Sequence, residues 1–173
     1  MPDVTIEPIA GNAAERDIHD LATLLLDAID SGAGVSFLSD LTKDQAKAWW
    51  RSVLPSAADR AVVLVARDRD GSILGTVQLQ PAWAPNQPHR ADVAKLIVHR
   101  RARRRGIARL LMDALERAAR DAGFTLLLLD TCKGYDAERL YASTGWVRVG
   151  EVPGFAFNPD GSLCDTVFFY KRL

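Results

Sequence analysis

The sequence predicts a mixed α/β domain in which about seven strands and four helices surround one sheet. Three features carry that expectation. Leu126-Leu127-Leu128-Leu129 is a continuous apolar run behind a helix-period stretch, as expected of a strand covered on both faces and reached through a crossover helix. Asp68-Arg69-Asp70-Gly71 and Asn158-Pro159-Asp160-Gly161 are turn-forming clusters between strand-like runs. Val93-Ala94-Lys95-Leu96-Ile97-Val98 leads through an arginine-rich turn into a helical pattern.

In order, Val4 to Ile9 alternates weakly and reads as an opening strand. Ala13 to Asp30 is a helix with Ile18, Leu21, Leu25 and Ala28/Ile29 on one face, ended by the flexible joint Ser31-Gly32-Ala33-Gly34. Thr42 and Gln45 form a capping-box pair, so a second helix runs from there to about Leu54, where Pro55 stops it. Trp49 and Trp50 are neighbours on it, so at most one points fully into the core and the other is free to line a cleft. Ala61 to Ala66 and Ile73 to Gln80 form a hairpin, followed by the proline-rich loop Pro81 to His89 and the strand Asp92 to Val98. Gly106 to Ala122 is a helix keeping Ile107, Leu111, Ala114/Leu115, Ala118 and Ala122 in 3.6-residue period, with Gly123 ending it. Beyond the leucine strand, Phe124 to Thr131, a short helix (Ala137 to Thr144) precedes the strands Trp146 to Val152 and Thr166 to Lys171. No repeat or linker divides residues 1–173, so a single domain is expected.

Composition narrows the function. Lys+Arg and Asp+Glu both number 22, so the arginine cluster is local and non-specific nucleic-acid binding is disfavoured. Cys132 and Cys164 lie far apart with no Cys-x-x-Cys, which argues against a zinc site and against a disulfide framework. Met1 to Ala10 lacks a basic and then apolar leader, and no apolar run is long enough for a membrane. A cytoplasmic protein without a membrane partner is expected.

The chemistry starts at Arg100-Arg101-Ala102-Arg103-Arg104-Arg105-Gly106-Ile107-Ala108-Arg109. N–H groups at a helix start lack intrahelical partners and sit at the positive end of the dipole, which suits a pyrophosphate. Gly106 admits close approach of the ligand, Ala108 keeps the next turn small, and the arginines add charge-assisted hydrogen bonds. The stretch has neither the Gly-Lys-Ser/Thr of a P-loop nor the three glycines of a dinucleotide fingerprint. A solvated basic helix start is the plainer reading of the same residues.

Arg103-x-x-Gly106-x-Ala108 resembles the Arg/Gln-x-x-Gly-x-Gly/Ala signature with which GNAT N-acetyltransferases bind acetyl-coenzyme A. The segment through Glu138, Tyr141, Gly145 and Trp146 is similar to that family's Ala-x-x-x-Tyr-x-x-x-Gly-Phe, with Trp146 in place of Phe. The order of elements is also that of the family's fold over nearly the whole chain. Gly34-Val35-Ser36-Phe37, Ala91-Asp92-Val93-x-Lys95-Leu96, Leu129-Asp130-Thr131, Arg148-Val149-Gly150-Glu151-x-Pro153-Gly154 and Pro159-Asp160-Gly161 resemble the tabtoxin-resistance acetyltransferases within it.

That resemblance implies a GNAT fold, acetyl-CoA as co-substrate, no metal, and acetyl transfer to a small-molecule amine in a ternary complex, with toxin or antibiotic detoxification as the sharpest form. Leu96, Ile97, Val98, Arg103, Arg104, Arg105, Gly106, Ile107, Ala108 and Arg109 would hold acetyl-CoA, and the Val98 N–H would meet the thioester carbonyl. An ammonium must lose a proton before it attacks, so a carboxylate base is needed. Asp92 and Asp130 are the candidates, with the choice between them open, and Tyr141 matches the family's general acid. Phe37, Trp49, Phe155 and Phe157 are candidate acceptor-lining residues.

Other groups rank lower. Cys132 is a possible acylated nucleophile, His99 a loop residue or phosphate contact, and His89 has no informative spacing. Lys95 is an odd number of residues from Asp92, so strand alternation puts it on the opposite face and outside the chemistry. A non-catalytic acyl-CoA sensor or scaffold is the alternative from another class, and a nucleic-acid module a third. Monomer and homodimer are both open.

Overall fold

The computed structural model describes residues 3–54 and 60–173. Seven strands form one sheet: β1 (Val4–Ile9), β2 (Val62–Asp68), β3 (Ile73–Pro81), β4 (Arg90–Val98), β5 (Leu126–Cys132), β6 (Val147–Phe157) and β7 (Leu163–Arg172), in the order β1-β2-β3-β4-β5-β7-β6. The helices are α1 (Glu15–Asp30), α2 (Lys43–Val53), α3 (Ile107–Asp121) and α4 (Asp136–Ser143). The expected mixed α/β architecture is the one observed. Strand ends differ where pairing extends them: β6 runs on to Phe157 because it pairs with β7 as far as Leu163.

Alternation along the strands sorts side chains into two cores. Leu64, Val77, Leu79, Val93 and Leu127 pack beneath α3 with Leu111 and Leu115. Val63, Val65 and Ile97 pack on the other face with Leu21 and Leu25 of α1 and Trp50 of α2. Such alternation is the period of two that a pleated strand imposes. At Gly75 an added Cβ would meet the Ile97 carbonyl oxygen at 3.0 Å and Leu111 Cδ1 at 3.1 Å, so glycine lets α3 lie close on β3.

The Thr42–Gln45 capping box forms as expected, a motif of about 1 kcal/mol in similar helices. Pro55, the expected stop, lies outside the described residues. Trp50 is fully buried, and Trp49 is half-buried in an edge-to-face contact with Phe37 at 5.1 Å.

Two expectations are overturned. Cys132 and Cys164 are joined in a disulfide, because the pairing of β5 with β7 brings together residues 32 positions apart. Lys95 is not opposite Asp92. Gln78 pairs with Ala94 and Thr76 with Ile97, so Lys95 and Leu96 together face Val77 in a β-bulge, with Lys95 at φ 53. The extra residue reverses the alternation: Val93 belongs to the α3-side core and Ile97, four residues on, to the α1/α2-side core.

The same strand creates the opening that matters. β4 is the parallel neighbour of β5, but they pair only at Arg90–Asp92 against Leu126–Leu128. Beyond that point β5 stays with β7 to Cys132 while β4 stays with β3 to Val98. The two diverge as a wedge.

Candidate functional site

The wedge opens into a cavity of about 1010 Å³. Of the residues expected to hold a cofactor, Leu96, Ile97, Val98, Arg103, Arg104, Gly106, Ile107, Ala108 and Arg109 line it, and Arg105 is exposed outside its lining. Gly106 is the N-cap of α3 at φ 81, where an L side chain is strained, and no side chain caps the helix. The first helical acceptor is the Gly106 carbonyl, which takes the Leu110 N–H, so the N–H groups of Ile107, Ala108 and Arg109 face outward as orphan donors.

The arginine turn is held from below by Asp27, which the sequence did not flag, and by Ser31 and His99. Asp27, near the end of α1 and buried, accepts from the Arg100 backbone N–H at 2.8 Å and from its guanidinium. Arg103 donates to Ser31 Oγ at 2.7 Å and to the Val98 carbonyl at 3.1 Å. His99 Nδ1 accepts from the Arg101 N–H at 3.3 Å. Burial lowers the His99 pKa, and the neighbouring arginines add to that fall, against Asp27. His99 is therefore a neutral brace of the turn. The Val98 carbonyl is taken by Arg103, while the next N–H, of His99, bonds to Leu74 of β3. Alternation then turns the Val98 N–H away from β3 and into the wedge.

At the base of the wedge, register puts Asp92 beside Leu128 on the face opposite Leu127 and Leu129, and Asp130 shares that face two residues on. The Asp92 carboxylate accepts from Arg90 at 2.6 Å and is half exposed. Asp130 has open surface, but partial burial of its carboxylate raises its pKa; Lys95 opposes that rise and Asp92 adds to it. The start of α4 has no side-chain cap, so Asp130 does not serve as one.

Tyr141 of α4 packs between Trp146 and Phe169 at ring distances of 5.9 and 5.8 Å. Burial raises its phenol pKa far above the ordinary value, and the charge of Asp130 adds to the rise. Asp130 thus senses Asp92 and Lys95 and is sensed by Tyr141, although these groups come from three separate elements.

Phe37 and Trp49 stand over the Lys95 ammonium, at 6.0 and 5.5 Å from Nζ to the ring centres. Phe155 and Phe157 are exposed on β6; Phe155 packs on Phe168, at 5.2 Å, in the strand position opposite Asp130. Cys132 has no thiol to be acylated while it is disulfide-bonded. His89 serves through its backbone carbonyl, which accepts from Thr125 and Leu126.

Residues 26–146 match the acetyltransferase (GNAT) family. An uncharacterised N-acetyltransferase from Azospirillum brasilense is 34% identical over 132 residues, spanning 75% of this chain and 76% of its own. Two solved structures share the fold at low identity. A ribosomal-protein-alanine N-acetyltransferase from Brucella melitensis superposes with TM-score 0.77 at 22% identity, over 98% of this chain and 99% of its own. A phosphinothricin acetyltransferase from Sinorhizobium meliloti, in complex with acetyl-CoA, does so with TM-score 0.80 at 15% identity, over 99% and 89%. The chain belongs to the acetyltransferase (GNAT) family and is an acetyl-CoA-dependent N-acetyltransferase.

Proposed function

We propose that the enzyme moves the acetyl group of acetyl-CoA to the amine of a small molecule, by direct attack while both are bound. The observation that carries this reading is the divergence of β4 from β5, which leaves the β4 edge and the orphan donors of α3 on one cavity, with Asp130 and Tyr141 on the adjoining β5 and α4. The residues present fit the co-substrate. The orphan donors at the start of α3, with Arg104, Arg105 and Arg109, would hold the pyrophosphate, and the unpaired edge of β4 at Leu96 to Val98 would hold the chain leading inward. Acetyl-CoA supplies an acyl group activated as a thioester.

Asp130 takes the proton from the acceptor ammonium, which its raised pKa suits, since a base near the operating pH transfers protons best. Asp92 is engaged by Arg90 and supports a cationic acceptor at the base of the wedge. The Val98 N–H would donate to the acyl oxygen as that oxygen gains negative charge. Tyr141 stays protonated because its pKa is raised, so it holds a proton for the departing thiolate. A detoxifying role like that of the tabtoxin-resistance acetyltransferases is the finer form of this proposal. It is supported by the sequence segments around Ser36, Asp92, Asp130 and Gly154, and by likeness to an enzyme that acts on phosphinothricin.

Release of thiol from acetyl-CoA across a panel of small amines is the test. Amine-dependent release is expected; acetyl-CoA binding without release to any amine would instead make the chain a sensor.

A further inference from the structure

We propose that Lys95, with Ser36 and Gln78, forms an anion-binding subsite beside Asp130, so that the acceptor is a small zwitterion: an amine that also carries a carboxylate, as amino acids do. This rests on the acetyl-transfer reading and deepens it.

Three non-glycine residues among those described adopt positive φ, and two of them, Ser36 at 73 and Lys95 at 53, are bonded to each other through Lys95 Nζ and Ser36 Oγ at 2.9 Å. Side chains avoid that region, and where it persists the surroundings enforce it, most often at functional sites. Here the bulge swings Lys95 from the α3 core to the face carrying Asp92 and Asp130, and the loop before α2 turns Ser36 to meet it.

Among the described residues the ammonium delivered there has no carboxylate within ion-pair distance. Burial lowers the Lys95 pKa, and Asp130 offsets this from a distance greater than the 4.0 Å of an ion pair. Phe37 and Trp49 wall it with π-faces, a weaker partner than a carboxylate. A partly buried cation held this way gains strongly from an anion supplied by a ligand.

Gln78 provides an independent sign. It is 2% exposed, its amide N–H group has no partner among the described residues, and it stands opposite Ala94. Its neighbours Val77 and Leu79 point into the α3 core, so Gln78 faces the side of Lys95. A buried donor without a partner is rare, and a ligand carboxylate bound on this face of β3 and β4 would supply one. On the same face of the sheet Asp130 offers the complementary charge. Opposite charges held apart without pairing match a ligand with an amine at one end and an acid at the other.

The test is a set of acceptor pairs: free amino acids, their methyl esters, and the amines left on removing the carboxylate. Acetylation is followed by thiol release, with acetyl-CoA affinity measured in parallel. The expected result is a preference of roughly 10²-fold in kcat/KM for the acids. In Lys95→Met that preference collapses through a raised KM for the acids, while acetyl-CoA affinity keeps its wild-type value; Lys95→Arg restores part of it. Equal use of esters and acids, turnover of none of them, or a Lys95→Met enzyme with wild-type preference overturns the subsite. Loss of acetyl-CoA binding in the wild-type chain overturns instead the reading beneath it.

Discussion

The arginine turn and the proposed acceptor slot both adjoin the bulged strand β4 and are built on opposite plans. The turn is one stretch of chain, Arg100 to Arg109, and its chemistry is mostly backbone: a left-handed glycine and the orphan N–H groups of a helix start. The slot draws one side chain each from the loop before α2, from α2, from β4 and from β5: Ser36, Trp49, Lys95 and Asp130. A backbone cradle tolerates many neighbours and fits a constant cofactor. A slot assembled from distant side chains can be rebuilt one residue at a time. That agrees with one fold serving relatives named for a ribosomal protein and for phosphinothricin.

If the division holds, changes on one side leave the other side's readout alone. The largest separation is expected for Asp130→Asn: turnover falls roughly 10³-fold, the scale of a lost general base, with acetyl-CoA affinity within a factor of two. Calorimetry and steady-state rates on the same preparation check it, and a parallel loss of affinity would break the comparison. Next is Tyr141→Phe, for which turnover falls roughly 10²-fold with affinity unchanged. Unchanged turnover would remove the phenol from the mechanism.

The pH profile sharpens the assignment of the base. Asp130 acts deprotonated and its pKa is raised, so kcat/KM rises with pH along an acid limb above the ordinary carboxylate range. A limb that does not lie above that range would remove Asp130 from the role of base. Smallest is the effect of the exposed guanidinium groups. Arg104→Ala with Arg105→Ala is expected to weaken acetyl-CoA roughly 10-fold, less at high salt, because Arg105 lies outside the cavity lining and Arg104 already meets Asp136 at 3.5 Å.

This contrast also explains how much could be read from the sequence. The turn was legible because Arg103, Gly106 and Ala108 fall within one short stretch of chain, and Asp130 was legible as a charge ending an apolar run. Lys95 was not: alternation is a valid rule until one residue is inserted, and the bulge follows from tertiary pairing with β3 and not from a local signal. The Cys132–Cys164 bond was hidden for the same reason, since it depends on β7 lying beside β5. Asp27 looked like an ordinary position of an amphipathic helix, and only the fold brings it under the arginine turn.

Titration of acetyl-CoA into the purified protein, followed calorimetrically, tests the cofactor cradle most directly. Saturable binding of one molecule per chain, weakened but not abolished by removing Arg104 and Arg105, is the predicted result. No binding at millimolar ligand would contradict the account and leave the wedge between β4 and β5 without an occupant.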